Sequence, residues 1–175
     1  KGRTSVYGPD YTLSSLVTHL NGFNFNSSDV DLKKIVVGEG GHINFEGEVN
    51  LEIANGIELK NDSHLDLWSA TVNGEVSVSV GSGVTANINQ IYGTSVLDLG
   101  LNVETDATLN LIGGNSVRVG GELNNNGDIV ITGTGRLEIN SPVSGTGTIS
   151  VPTGSLSICP GFVTSADSQV SYNGG

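Results

Sequence analysis

Short alternating runs of apolar residues dominate the chain. Apolar-x-apolar triplets recur in pairs with a five-residue spacer between members: Ile35-x-Val37 with Ile43-x-Phe45, and Ile57-x-Leu59 with Leu65-x-Leu67. Val78-x-Val80 pairs with Ala86-x-Ile88, Leu101-x-Val103 with Leu109-x-Leu111, and Ile129-x-Ile131 with Leu137-x-Ile139. Ile149-x-Val151 and Leu156-x-Ile158 repeat the pattern with one spacer residue fewer. The leading triplets begin at Ile35, Ile57, Val78, Leu101, Ile129 and Ile149, an almost even spacing apart from a longer step between Leu101 and Ile129. A second marker, Gly47-Glu48-Val49-Asn50, returns as Gly74-Glu75-Val76-Ser77 and Gly121-Glu122-Leu123-Asn124, one unit and then two units further on.

Alternation with period two predicts strands with one buried face. Spacers such as Gly38-Glu39-Gly40-Gly41-His42 and Gly81-Ser82-Gly83-Val84-Thr85 carry the residue types that turn a chain. No unit has room for a crossover helix, which excludes a doubly wound α/β sheet. A sandwich of hairpins would explain the alternation but not the repeated spacing. Each unit is therefore one coil, and stacking coils buries a column of Ile, Leu and Val that no single coil buries alone. The predicted fold is all-β: a single-stranded, right-handed parallel β-helix of about six coils, the handedness following the preference of parallel connections. Residues 35–158 form the solenoid. Residues 1–34, with a helix-like stretch from Thr12 to Leu20, read as an N-terminal cap or first irregular coil. Residues 159–175 read as an irregular C-terminal tail.

Composition changes the picture in three ways. Seven basic against 18 acidic residues leave a net charge of −11, which argues against nucleic acid and anionic membranes as partners. No apolar run long enough for a membrane span is present, so no helical membrane insertion is expected. Cys159 is the lone cysteine and reads as a small buried hydrophobe. The opening Lys1-Gly2-Arg3-Thr4 reads as the start of a processed chain or of a fragment.

Candidate chemistry lies on the outward columns. The middle residue of each second triplet gives Asn44, Asp66, Asn87, Asn110, Glu138 and Ser157, a row of amides and carboxylates suited to sugar hydroxyls or to a solvated polar face. The first triplets give Val36, Glu58, Ser79, Asn102, Val130 and Ser150. Trp68 follows Leu67 and should point outward, where with Tyr92 it offers a face for a sugar ring. Asp66 and Glu138 would lie three coils apart, about 14 Å, too far for the carboxylate pair of a glycosidase at about 5–9.5 Å. Glu48 and Glu75 share the Gly-Glu-Val marker and are the better catalytic candidates, at about 5 Å in adjacent coils. The same pair reads equally as exposed glutamates after corner glycines. Clustered carboxylates leave calcium open as a cofactor, although the nonapeptide calcium repeat is absent. His42 and His64 occupy the same position in successive coils and are candidate metal ligands without an evident third. Sporadic threonines around Thr132 and Thr146 argue against an ice-binding array.

Stretches such as Gly121-Glu122-Leu123-Asn124-Asn125-Asn126-Gly127-Asp128-Ile129 and Val143-Ser144-Gly145-Thr146-Gly147-Thr148-Ile149 resemble coils of bacteriophage tailspikes and tail fibres and, next, of autotransporter adhesin passengers. The resemblance spans about residues 35–158 and is one of style. A tailspike likeness implies an extracellular virion protein, a homotrimer that recognises host surface polysaccharide, in some cases with depolymerase activity. An adhesin likeness implies a secreted adhesive passenger. The expected function is a non-catalytic binding or structural module. The alternatives are a polysaccharide-depolymerising enzyme, either a glycoside hydrolase or a polysaccharide lyase, and a bacterial or fungal cell-surface adhesin.

Overall fold

The computed structural model describes residues 4–8, 11–13, 23–26, 28–32, 34–113, 116–133, 136–141, 143–153, 155–158 and 169–171. These residues form nineteen strands and no helix. All nineteen belong to one sheet, and every pairing in it is parallel. The fold is a parallel β-solenoid. None of the described residues lies in a helix long and apolar enough to cross a membrane.

Each coil has three sides. The first side stacks Ile35–Val37, Ile57–Leu59, residues 78–80, residues 101–103, Leu123–Asn125 and Val143–Ser144 in register. The steps from Ile35 to Ile57, Val78, Leu101, Leu123 and Val143 are nearly even and make about five turns. The second side stacks 42–46, 64–68, Thr85–Tyr92, Thr108–Gly113, Asp128–Gly133 and Thr148–Ser150. The third stacks 48–50, 71–73, 96–98, Ser116–Val119, Arg136–Ile139 and Ser155–Ile158.

Two expectations are corrected by this register. Ile129-x-Ile131 and Ile149-x-Val151 open on the second side, because Ile129 pairs with Leu109 and Ile149 with Ile129. Arg136–Ile139 and Ser155–Ile158 accordingly belong to the third side. The first-side strands of those coils begin at Leu123 and Val143, where Asn125 and Gly145 replace the second apolar residue and hide the triplet. The apparent long step from Leu101 to Ile129 disappears with this change, since Leu101 pairs with Leu123. The Gly-Glu-Val marker is likewise two different corners: Glu48 pairs with Thr71 on the third side, whereas Glu122 directly precedes the first-side Leu123.

Within 1–34, Tyr11–Leu13 pairs with the first side, Phe23–Asn26 with the second, and Ser28–Leu32 with both Thr4–Gly8 and residues 50–53. Pairing therefore continues through these residues. Beyond Leu13 the helix-like stretch lies outside the described residues. Within 159–175, expected as irregular, Gln169–Ser171 adds a strand to the second side. Cys159 lies outside the described residues.

One turn recurs between the first and second sides. Backbone bonds Gly41 N to Gly38 O, Ser63 N to Lys60 O, Val84 N to Gly81 O and Ala107 N to Glu104 O close four successive four-residue turns. Their third residues, Gly40, Asp62, Gly83 and Asp106, have φ of 62°, 55°, 71° and 61°. Gly and Asp are among the residue types that tolerate this left-handed region. The next corner, Asn126-Gly127, is two residues shorter and draws the chain close to the coil before it. A Cβ on Gly127 would stand 2.4 Å from Ala107 O and 2.5 Å from Glu104 O.

Inside, apolar side chains stack on their counterparts. Ile43, Leu65, Ile88, Leu109 and Ile129 are wholly buried, and Phe45 is the largest of the fully buried side chains. Burying each contributes about 1.5–3 kcal/mol. Phe45→Ala is expected to cost about 3–5 kcal/mol through lost transfer energy and the cavity left behind. Gly127→Ala is expected to cost about 1–3 kcal/mol by crowding backbone, whereas Gly81→Ala, whose Cβ would meet no atom closer than 4.0 Å, stays within about 0.5 kcal/mol. Urea unfolding midpoints of the three variants check the order.

Candidate functional site

The second side carries three outward columns that converge near its middle coils. The first reads His42, His64, Asn87 and Asn110, the second Asn44, Asp66, Asn89 and Ile112, and the third Glu46, Trp68 and Tyr92. Between the coils of Leu65 and Ile88 the strands sit two residues away from the alignment that the triplets imply. Asn87 therefore stacks on His64, and Asn89 stacks on Asp66.

The amides of this face are largely bonded to one another. Asn110 Nδ2 donates to Asn87 Oδ1 at 3.1 Å, and Asn87 Nδ2 to Ser63 O at 3.4 Å. Asp66 and Asn87, expected on an open face, are each only 7% exposed. Asn44 and Asn110 are half-buried. Glu138 lies on the third side, where Arg118 Nε donates to its Oε2 at 3.1 Å.

Asp66 sits at the centre of a compact cluster. The imidazole rings of His42 and His64 stack with centroids 4.3 Å apart and planes within 6°. His42 Nδ1 lies 2.8 Å from Asp66 Oδ2, so this nitrogen carries the proton and donates to the carboxylate. Asn89 Nδ2 donates to Asp66 Oδ1 at 2.6 Å and to His64 Nδ1 at 2.9 Å. The amide nitrogen can only donate, so His64 Nδ1 holds a lone pair and the ring proton resides on Nε2. Asp62 Oδ1 is 4.0 Å from that Nε2. Burial pushes His64 below the ordinary histidine range; the His42 ring adds to the effect, while Asp66 and Asp62 oppose it. The third partner missing from the sequence reading is Asp66, two residues beyond His64 in the adjacent outward column.

An apolar patch adjoins this cluster. Trp68 is 46% exposed and Tyr92 69%, and the two pair in register on successive coils. The register shifts between Leu67 and Trp68, which pair with Gln90 and Tyr92 and leave Ile91 as the extra residue of a bulge. Ile91 and Ile112 are also exposed. Beneath the bulge, the buried Gln90 donates from Nε2 to the carbonyls of Tyr92 and Gly93, each at 2.8 Å.

The corner between the third and first sides forms an open groove of about 790 Å³. Glu75, Asp98 and Glu122 line it, with Ser77, Asn102 and Asn124. Glu48 is exposed but lies elsewhere: it pairs with Thr71, four residues before Glu75 along the next coil. The expected adjacency of Glu48 and Glu75 does not arise, because their two glycine corners fall on different edges of the solenoid.

On the first side Glu58 accepts hydrogen bonds from Lys34 Nζ at 2.7 Å and from Lys60 Nζ. These two ammonium groups, Lys34 first, hold its carboxyl below the usual carboxylate range. Comparison with protein-family models, curated proteins and solved structures returned no match.

A carboxylate depressed in the folded chain stabilises it above its unfolded pKa, and that contribution fades as pH falls through the folded value. The stability difference between the wild type and Glu58→Gln is therefore expected to be full above the ordinary carboxylate range and to shrink steadily as pH falls below it. Urea midpoints across that range, repeated in high salt to shrink the difference, check it.

Proposed function

We propose that the chain is a non-catalytic β-solenoid recognition module that holds a surface polysaccharide on its second side. The observation that carries this reading is the pairing of two exposed aromatic rings, Trp68 and Tyr92, on adjacent coils. Aromatic faces stack on the apolar face of a pyranose, and their polar tips bond its hydroxyls. Ile91 and Ile112 extend the apolar floor, while Asn44 and Asn110 supply amides at its border. The stiffness of a stacked sheet suits a regular polymer, since ligand groups meet residues that are already ordered.

On this reading the chain is an extracellular section of a bacteriophage tailspike or tail fibre. It winds right-handed, as parallel connections prefer, and assembles as a homotrimer. A cell-surface adhesin is the neighbouring reading. Titration against a panel of bacterial surface polysaccharides tests the binding. Trp68→Ala and Tyr92→Ala are each expected to weaken it about ten-fold, or ~1.4 kcal/mol, with unchanged melting temperature. Wild-type affinity retained in both variants, or no affinity for any polymer, would sink the proposal. Light scattering coupled to size exclusion reads the trimer, and a mass near the 18.0 kDa of a single chain would favour the adhesin.

A second reading rests on the corner groove. Three carboxylates from successive coils, Glu75, Asp98 and Glu122, line a cleft open to a polymer, an arrangement compatible with general acid and base roles in glycoside cleavage. A fall in polymer size on long incubation, abolished by Glu75→Gln or Glu122→Gln and untouched by Trp68→Ala, would put this reading first.

A further inference from the structure

We propose that His42, His64 and Asp66 form a binding site for a divalent late-transition metal ion, with Zn²⁺ as its representative. One nitrogen from each ring and one carboxylate oxygen lie within 4.8 Å of one another. Two imidazoles and a carboxylate are the donor set of three-ligand zinc sites that keep an open position. The same set suits Co²⁺ and Ni²⁺, and it discriminates against Ca²⁺ and Mg²⁺, which take oxygen ligands.

The surroundings are built in the way such a site needs. The Asn89 amide donates to His64 Nδ1, so that nitrogen holds a lone pair, and the metal would displace this one amide hydrogen to bind it. His42 Nδ1 carries a proton directed at Asp66 Oδ2. On binding, the metal takes the place of that proton, which reappears on Nε2 of the same neutral ring. No net proton need be released. Asn89 fixes the other carboxylate oxygen at 2.6 Å, and Asp62 stands 4.0 Å from His64 Nε2, where it would orient the ligating ring. Outer partners of this kind hold the ligand tautomer and raise its basicity. The two rings lie face to face with centroids 4.3 Å apart, so both present their edges to the same side of the Asp66 carboxylate. Tetrahedral ligand atoms stand about 3.3 Å apart around zinc, so the widest donor separation would close on binding, while His42 Nδ1 and Asp66 Oδ2, 2.8 Å apart, would open slightly.

This site is independent of whether the neighbouring aromatic patch holds a sugar. Zn²⁺ is titrated into the whole chain against a chromophoric chelator near neutral pH, with the melting temperature and the histidine ring proton signals followed in parallel. The expected result is one equivalent bound, a raised melting temperature, and shifts of the His42 and His64 signals but not of His19. His64→Ala and Asp66→Asn should each lower the affinity at least a hundred-fold, and Asp62→Asn about ten-fold, the lower end for an outer partner. Excess Ca²⁺ should not compete. Should a ligand variant fail to fold, the ring-proton shifts of the wild type still decide. Absence of stoichiometric binding, affinity retained in His64→Ala, competition by Ca²⁺, or shifts spread evenly over the acidic surface would each overturn the assignment.

Discussion

Parallel pairing of each strand with its counterpart one coil away is the constraint on which everything else here depends. The backbone bonds run from coil to coil, so side chains on one side stand above one another at about 4.8 Å. Ile35 over Ile57 over Val78 and Ile43 over Leu65 over Ile88 are successive layers of columns rather than separate contacts. No coil has enough apolar surface to fold by itself, and stability therefore accrues as each coil covers the next. The same ladder sets the chemistry outside: Asn110 over Asn87, Asn124 over Asn102 and Asn73 over Asn50 bond through their side chains because the backbone presents them at that repeat.

This explains what could be read from the chain and what could not. Alternation is a local property, so the inward or outward direction of Asn44, Asp66, Asn87 and Asn110 was legible. Which residue stands above which is a property of two coils at once. A slip of one residue exchanges the faces of a strand, but a slip of two preserves them. The step from Leu65 to Ile88 is such a two-residue displacement, and it moved Asn87 onto His64 without leaving a trace in the alternation. The true first-side strands at Leu123 and Val143 were hidden for a different reason: an inward Asn125 and a strand of only two residues break the triplet where the pairing itself continues. A two-triplet pattern merges the third side with the second, since Leu137-x-Ile139 and Leu156-x-Ile158 belong to the third side and Val49-x-Leu51-x-Ile53 carries the same signal in an earlier coil.

The two candidate surfaces draw on different aspects of this geometry. The cluster of His42, His64, Asp66 and Asn89 needs residues from three successive coils, and the two-residue displacement is what brings Asn89 over Asp66. Its interior is saturated with hydrogen bonds and only partly open to solvent. The Trp68 and Tyr92 patch instead arises where the ladder is interrupted and a residue is left over. The corner groove is a third case, made by glycines at 74, 100 and 121 that let the chain bend sharply between sides.

The bulge at Ile91 has a wider consequence. Coils of slightly unequal length stack without disturbing one another because the differences are absorbed where a side ends. Length and identity are thereby partly uncoupled: residues in the columns answer to the neighbours above and below, while exposed side chains at the bulge, such as Ile91 and Tyr92, face solvent. Such a scaffold accepts an added or removed residue at its edges at little cost to the stacked core. Variation in such a fold is then expected to appear as differences in loop length around an unchanging prism, with each edge free to change separately.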